Sequence, residues 1–485
     1  MGSFTFKKWN IILGWFVFSV ALVTYWSTVE PTASFWDAGE YITTASNLEV
    51  GHPPGAPLYQ LMGAFFSIFA MEATNIALTI NLMSVFASAF TILFMFWSVT
   101  ILLSNLVKNN DTFTKNNQIA ILGSAVIGSL SFAFTDSFWF SAVEAEVYAM
   151  AAFIMSVLFY AGLRWENEMF SPRGDKWVVL IAFVVGLSFG VHFMGLLTIP
   201  AIGFLYFFKN YKKVTVKNFL IANVATVAIL LFIFKLLLPM TLRFFSAAEI
   251  FFVNQINMPF NSGTIIAGLL FLAVFYFGLR YTRSKSFVKL NTLLLCVLFI
   301  FIGFSSWLML PIRANAGTVI NENNPNNARE LLAYYNREQY PETHLFYGPL
   351  FTEAYVGLDE DNPFLDDKPK YEKDLTAKKY VIVNDINNAK QNFDDSQKAF
   401  LPRMWSLEHN ANYMEITGAV DFEIKREYLS EQLLVDEVAK FREAYEKGLV
   451  DSEDYDKFLK NFGDYLDIEK PGFLTNMRFM FEYQF

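Results

Sequence analysis

One cysteine and four histidines in 485 residues leave this chain little with which to build disulfides or thiolate metal cages. The single thiol, Cys296, lies in an apolar run, so no disulfide forms within the chain and cysteine usage says nothing about redox compartment. No fixed-spacing metal motif, internal repeat or low-complexity segment is present, and no nucleic-acid partner is expected. Positive charge is missing locally: residues 29–75 contain no Lys or Arg at all. What the chain has in excess is apolar length. It carries 54 Phe, a 54% hydrophobic composition and a mean hydropathy of +0.33. Its repeated apolar stretches match the ~20 residues a helix needs to cross ~30 Å of hydrocarbon. The chain reads as an all-α polytopic membrane protein.

Lys7 and Lys8 followed by an apolar run from Ile11 to Tyr25 resemble a signal peptide, but the run is long and no A-x-A site follows, so it is read as an uncleaved first helix. Nine crossings are predicted, at roughly 11–28, 76–106, 117–134, 144–163, 177–191, 194–208, 218–240, 263–279 and 290–311. With this parity, 15 Lys and Arg of the short loops fall on one side and only Arg243 on the other, which predicts a cytoplasmic amino terminus in an inner or plasma membrane. The loops around 29–75, 135–143, 192–193 and 241–262, and everything after 312, then face away from the cytosol. Residues 57–70 are apolar but short. Counting them as a crossing would invert the charge bias, so they are expected to form an interfacial or partly sunk helix.

Residues 177–208 must go out and return between basic segments, and at 1.5 Å per residue each leg covers only about 24 Å. The hairpin is therefore expected to stop short of the far surface. Its apex carries Gly186, Gly190 and His192, and irregular backbone at that depth requires protein or a wet cavity around it. His192 either faces such a cavity or is hydrogen-bonded within the helix packing.

Composition changes near 312. Residues 1–311 form the predicted transmembrane domain, with 17 Lys/Arg against 13 Asp/Glu, whereas 312–485 hold 20 against 33. The second part is expected to be an extracytoplasmic, acidic, mainly helical domain. Asn326 or Asn327 should cap a helix over 328–339, a second helix is expected over 429–447, and Tyr380–Val383 is a short strand signal.

The densest chemistry sits in the first outer loop, in Trp36-Asp37-Ala38-Gly39-Glu40 followed by His52-Pro53-Pro54-Gly55. Asp37 and Glu40 share a face if 35–48 is helical. A carboxylate here can take the proton of a hydroxyl nucleophile. Alternatively, Ser34-x-x-Asp37 is a capping box in which Asp37 only closes a helix start. His52 is either functional or a turn residue. Glu144 and Glu146 stand at the outer end of the fourth predicted span, where the helix dipole favours acids. Glu144 is assigned to that role alone. Glu146 is placed deeper, beside aromatics, where an ionisable group needs a partner. Lys235, Arg243 and Arg313 are the scarce outer cations and candidates for holding a lipid-linked phosphate, with snorkelling as the alternative. Divalent metal binding by Asp37, Glu40, Glu146 and His192 is conceivable in chemistry but not indicated by spacing.

Three blocks carry a resemblance: Glu30-Pro31 through Glu40 with His52-Pro53-Pro54-Gly55-Ala56-Pro57; Phe138-Trp139 to Glu146-Val147-Tyr148; and Gly186-Leu187-Ser188-Phe189-Gly190-Val191-His192. In this order they resemble the domain-of-unknown-function 2723 family, which is similar to membrane glycosyltransferases of the GT-C type, a group that includes protein O-mannosyltransferases. The similarity covers most of 29–200 and continues weakly through Arg313 and Arg337-Glu338-Gln339-Tyr340. It implies a GT-C-like fold, a polyprenyl-phosphate sugar as donor and transfer of mannose, with inversion, to Ser/Thr hydroxyls of an exported acceptor protein. It further implies Asp37 as base with Glu40 assisting; His52, Glu146, Tyr148, His192 and Arg337 are then the expected substrate contacts, and Lys235, Arg243 and Arg313 stay the candidates for the lipid phosphate. Members of the family are often longer than this chain. A lipid-directed glycosyltransferase, a transporter and a non-catalytic assembly subunit are the competing classes.

Overall fold

A computed structural model describes residues 5–108, 113–340, 344, 346–359 and 361–483. The chain divides into two compact units, Met1–Gln339 and Tyr340–Phe485. The first contains α1 (Phe6–Ser27), α2 (Ala38–Asn47), α3 (Pro57–Ser67), α4 (Ile76–Lys108), α5 (Lys115–Ala133), α6 (Asp136–Ala142), α7 (Val147–Glu168), α8 (Asp175–Ser188), α9 (Thr198–Asn210), α10 (Val216–Leu231), α11 (Leu238–Ile250), α12 (Ser262–Ser284), α13 (Val288–Phe304), α14 (Met309–Asn315) and α15 (Ala328–Asn336).

Seven helices among the described residues are long and apolar enough to cross a membrane, or eight if α5 and α6, bent by 69°, form one broken span. The expectation of nine crossings is corrected at α8. Its 14 residues reach only ~21 Å, well short of ~30 Å of hydrocarbon. The shortfall at the 177–208 hairpin is thus concentrated in its first leg. Helix α3 is likewise too short to cross, at 11 residues.

The hairpin apex is packed in protein. The Gly190 carbonyl accepts from the N–H groups of Leu58 (2.7 Å) and Tyr59 (3.1 Å), supplying partners for two otherwise orphaned donors in the first turn of α3. The Trp307 indole donates to the Phe189 carbonyl at 2.8 Å. Below the apex α8 crosses α13 at Gly186 and Gly303, where a Cβ on either residue would collide with the other helix's backbone. Small residues are what such backbone-to-backbone contacts between membrane helices require. The same core takes in Tyr41, Tyr59, Trp307, Tyr334 and Tyr335, tying the first loop, the hairpin and α15 together.

Residues 312–339 belong to this first unit, beyond the change in composition. Asn321 bridges to Val50 in parallel, Tyr334 Oη donates to the Gly51 carbonyl at 2.5 Å, and Tyr335 Oη donates to the Phe234 carbonyl at 2.8 Å. Charge follows exposure to water, whereas unit membership follows packing, and here the two do not coincide. Helix α15 starts as expected: Asn327 Oδ1 accepts from the N–H groups of Arg329 and Glu330.

The second unit is not mainly helical as expected but mixed. Among the described residues, helices α16 (Asn410–Thr417), α17 (Gln432–Glu446), α18 (Ser452–Phe462) and α19 (Phe473–Tyr483) accompany eight short strands, β1 (Tyr347–Pro349), β2 (Phe364–Leu365), β3 (Tyr371–Asp374), β4 (Lys379–Ile382), β5 (Lys390–Gln391), β6 (Lys398–Phe400), β7 (Phe422–Ile424) and β8 (Leu466–Ile468). They pair antiparallel as β1–β6, β2–β5, β3–β4 and β7–β8. Pairs of two to four residues fall below the length at which alternation becomes visible in sequence. Only the β4 and α17 signals were strong enough to anticipate.

Candidate active site

The first loop closes around His52. Helix α2 buries Ala38, Tyr41, Ile42, Thr44 and Ala45, the spacing of a single helix face, and stops where Leu48 turns into the left-handed region at φ 50°. The following turn returns His52 over Glu40. One carboxylate then grips the histidine twice: Glu40 Oε1 accepts the His52 backbone N–H at 2.7 Å and Oε2 accepts Nδ1–H at 2.9 Å. Gly51 permits this approach, since a Cβ there would lie 2.6 Å from Glu40 Oε1. With Nδ1 committed, Nε2 faces Asp37, whose Oδ2 is 3.8 Å away. The result is a carboxylate–imidazole–carboxylate chain that ends in an acid with 59% of its side chain exposed.

Asp37 does immediately precede α2, but its side chain makes no capping hydrogen bond. Ser34, the other half of the predicted capping box, donates instead to Glu144 Oε2 at 2.7 Å. The capping reading of Asp37 is therefore set aside. The same bond corrects Glu144. Helix α7 begins only at Val147, so Glu144 ties the loop before the helix to the first loop rather than serving the helix dipole. Trp36, just before Asp37, sits at φ 59°, a left-handed conformation that is strained for a bulky residue.

Hydrogen bonding to Glu40 raises the pKa of His52 above its usual range, and the same bond lowers that of Glu40. Glu146 occupies the residue before α7 and is 7% exposed, with only the backbone N–H of Val147 beside its carboxyl. Burial, and secondarily the charge of Asp37, push its pKa up to about 7. Tyr41 is near enough to Glu146, Asp37, Glu40 and Tyr148 to feel each of them, and burial, followed by these acids, raises its hydroxyl pKa. Glu322 approaches Glu40 and His52 from the segment bridged to Val50, its carboxyl pushed up by burial and by Glu40.

The structure thus brings Asp37, Glu40, His52, Glu146 and Tyr148 together around Tyr41. His192 adjoins through Tyr148, with ring centroids 5.5 Å apart. Its Nδ1 accepts from the Met194 N–H at 3.1 Å, which leaves the ring proton on Nε2. The predicted cations are placed elsewhere. Arg313 donates to the carbonyls of Leu48 (2.5 Å) and Asn47 (3.2 Å), closing the carboxyl end of α2. Lys235 lies in a π-helical turn, Phe232–Leu237, with its ammonium 4.9 Å from the Phe234 ring. Arg243 is exposed on α11, and Arg337 is the left-handed residue that ends α15. Among the described residues, no ion pair joins Lys235, Arg243 or Arg313 to Asp37, Glu40 or Glu146. Among the described residues, no three His, Cys, Asp or Glu side chains are grouped so as to hold a metal ion. Tyr41 and Glu322 escaped the sequence reading. Tyr41 could have been found as the residue one turn after Asp37, whereas Glu322 has no local signal and arrives through a tertiary bridge.

Residues 37–215 match the family described as the N-terminal domain of protein O-mannosyl-transferase TMEM260. The match starts at Asp37. Residues 341–481 match a family of unknown function, DUF8416. The chain is 26% identical over 216 residues to a protein of Dictyostelium discoideum named protein O-mannosyl-transferase tmem260, covering 42% of this chain and 24% of that one. It is 26% identical over 172 residues to the protein of Mus musculus named protein O-mannosyl-transferase TMEM260, covering 36% of this chain and 22% of that one. The matched segment thus spans about a quarter of those relatives' length. No solved structure matches.

Proposed function

We propose, from the likeness of residues 37–215 to protein O-mannosyltransferases and from the geometry at Asp37, that this integral membrane protein transfers mannose from a polyprenyl phosphate to Ser/Thr hydroxyls of exported proteins. The observation that carries the reading is the carboxylate of Asp37, released from capping, largely exposed and faced by an imidazole that Glu40 holds in place.

In the proposed reaction the acceptor hydroxyl loses its proton to Asp37 as its oxygen attacks the anomeric carbon from the face opposite the phosphate, which inverts the configuration. Glu40 and His52 fix the direction of the base. Tyr148 and His192 offer a hydroxyl and an Nε2–H to the sugar or the phosphate, and Lys235 or Arg243 meets the lipid phosphate nearer the bilayer. On this reading, and by the positive-inside bias of the sequence, the site faces away from the cytosol. Holding donor and acceptor together supplies much of the remaining acceleration.

The test is full-length protein in proteoliposomes given polyprenyl-phosphate mannose and a Ser/Thr peptide. Mannosyl peptide should form with the wild type and not with Asp37→Asn, which should still insert and fold. Product from Asp37→Asn at the wild-type rate would exclude Asp37 as base, and mannose appearing only on lipid would move the assignment to a lipid-directed enzyme.

A further inference from the structure

The cluster holds too many acids for the anion it is proposed to release. Asp37, Glu40, Glu146 and Glu322 surround one imidazole, which is already committed to Glu40 and Asp37. Arg313, the expected cation that packs against this loop, is spent on the carbonyls of Leu48 and Asn47. Whatever Lys235 or Arg243 does nearer the bilayer, the phosphate oxygen that leaves the sugar beside this cluster meets negative charge unless one of the acids is neutral.

Glu146 is the acid built to be neutral. It is only 7% exposed, and among the described residues its carboxyl has no ion pair and no side-chain partner, only the backbone N–H of Val147 at the start of its own helix. The groups facing it are Asp37 from the loop before α2, Tyr41 from α2, His52 from the turn that follows, Tyr59 from α3 and Glu144 from its own segment. Of these side chains only His52 favours the ionised form, as does the Val147 N–H, and burial and Asp37 outweigh both. Tyr59 beside it is fully buried, and among the described residues neither its hydroxyl nor that of neighbouring Ser84 completes a hydrogen bond. Buried polar groups without partners are uncommon and mark a place where a ligand atom completes the bonding.

We infer that Glu146 is the general acid of the reaction, donating its proton to the phosphate oxygen that leaves the anomeric carbon. This inference rests on the mannosyl-transfer reading. As the acceptor oxygen forms its bond to that carbon, the carbon–oxygen bond to phosphate breaks and its electron pair stays on the phosphate. The acceptor's proton goes to Asp37 and the proton of Glu146 goes to the phosphate, so the lipid leaves as its hydrogen phosphate. Passage of the proton from Asp37 to Glu146 restores both acids, and no cation is consumed.

The experiment compares wild type with Glu146→Gln, which keeps the shape and removes the transferable proton. With polyprenyl-phosphate mannose, kcat of the variant should fall about 10²–10³-fold, and the alkaline decline of kcat near pH 7 should vanish. With the corresponding diphosphate, a less basic leaving group, the loss should be under about tenfold. Equal losses on both donors would make Glu146 structural and overturn the inference, as would an unchanged kcat. A second measurement does not need turnover. Calorimetric binding of polyprenyl phosphate alone, in buffers of different ionisation enthalpy at pH 7.5, should show proton uptake by the wild type and none by Glu146→Gln. Equal uptake by both proteins would overturn the inference whatever the kinetics. Uptake that depends on Glu146 in a protein that makes no mannosyl peptide would instead sink the transfer reading while leaving Glu146 as proton donor to a lipid phosphate.

Discussion

The acids of the first outer loop and those of the second unit differ less in number than in company. In the second unit, carboxylates lie along exposed helix faces opposite lysines or arginines three or four residues away, as in Glu443–Lys447, Asp454–Lys457 and Arg478–Glu482. Such pairs contribute about 0–1 kcal/mol each and exist chiefly because water tolerates charge. In the first loop, Glu144 is paired with a serine hydroxyl, Glu40 and Asp37 share one histidine, and Glu146 stands buried. There the buried Glu144 and Glu146 are costly to ionise, and Asp37, though exposed, has among the described residues no cation beside it but the imidazole. The comparison teaches that acid count locates solvent, whereas poor pairing locates chemistry.

Substitutions can break this contrast in order of effect. Asp37→Asn should lower mannosyl transfer by about 10²–10⁴-fold, measured as initial rate in proteoliposomes. Removing an acid from the second unit, as in Glu443→Gln, should change it less than about twofold, because an exposed pair of this kind holds nothing else in place. His52→Ala and Glu40→Gln should each cost about 10²-fold in kcat with little change in KM, the signature of a base left out of alignment.

A smaller effect, on stability, sharpens the electrostatic side. The folded-state pKa of Glu146 is raised from 4.5 to about 7, so the folded protein binds more protons than the unfolded one between those values. Stability is therefore lost as pH rises through this window, and the loss is complete above about 7. Glu146→Gln should remove that dependence and stabilise the protein at pH 8 by about 1–3 kcal/mol relative to wild type, with no gain at pH 4. Thermal unfolding in detergent at the two pH values checks it. His52 and Glu40 act in the opposite sense at opposite ends. The raised imidazole pKa gives a contribution that is lost as pH climbs through it, and the lowered carboxyl pKa gives one that is lost as pH falls through it. The smallest effect belongs to Lys447→Ala, within about 0.5 kcal/mol.

Much of this arrangement was legible in the order of residues. Apolar length marked the membrane helices, and the 32-residue hairpin was seen to be too short for two full crossings. The spacing of Asp37, Glu40 and His52 marked the loop. What could not be read was partner choice. Ser34 is a plausible cap for its own helix until Glu144, 110 positions away, offers a better acceptor. Arg313 looks like a free cation until the end of α2 arrives beside it. Glu322 reaches the cluster only because residues 320–322 add to Val50 as a single parallel bridge. Each is a long-range contact, and periodicity carries no information about those.

The docking of α15 against Gly51 and Phe234 has a practical consequence for anyone who would dissect the protein. A cut at the change in charge, near 312, would carry away Tyr334, Tyr335 and Glu322, and with them the floor on which the His52 turn rests. Severing the chain between Gln339 and Tyr340 instead keeps each buried cluster whole, so the shorter fragment to express is the one that looks, by composition, as if it begins too late.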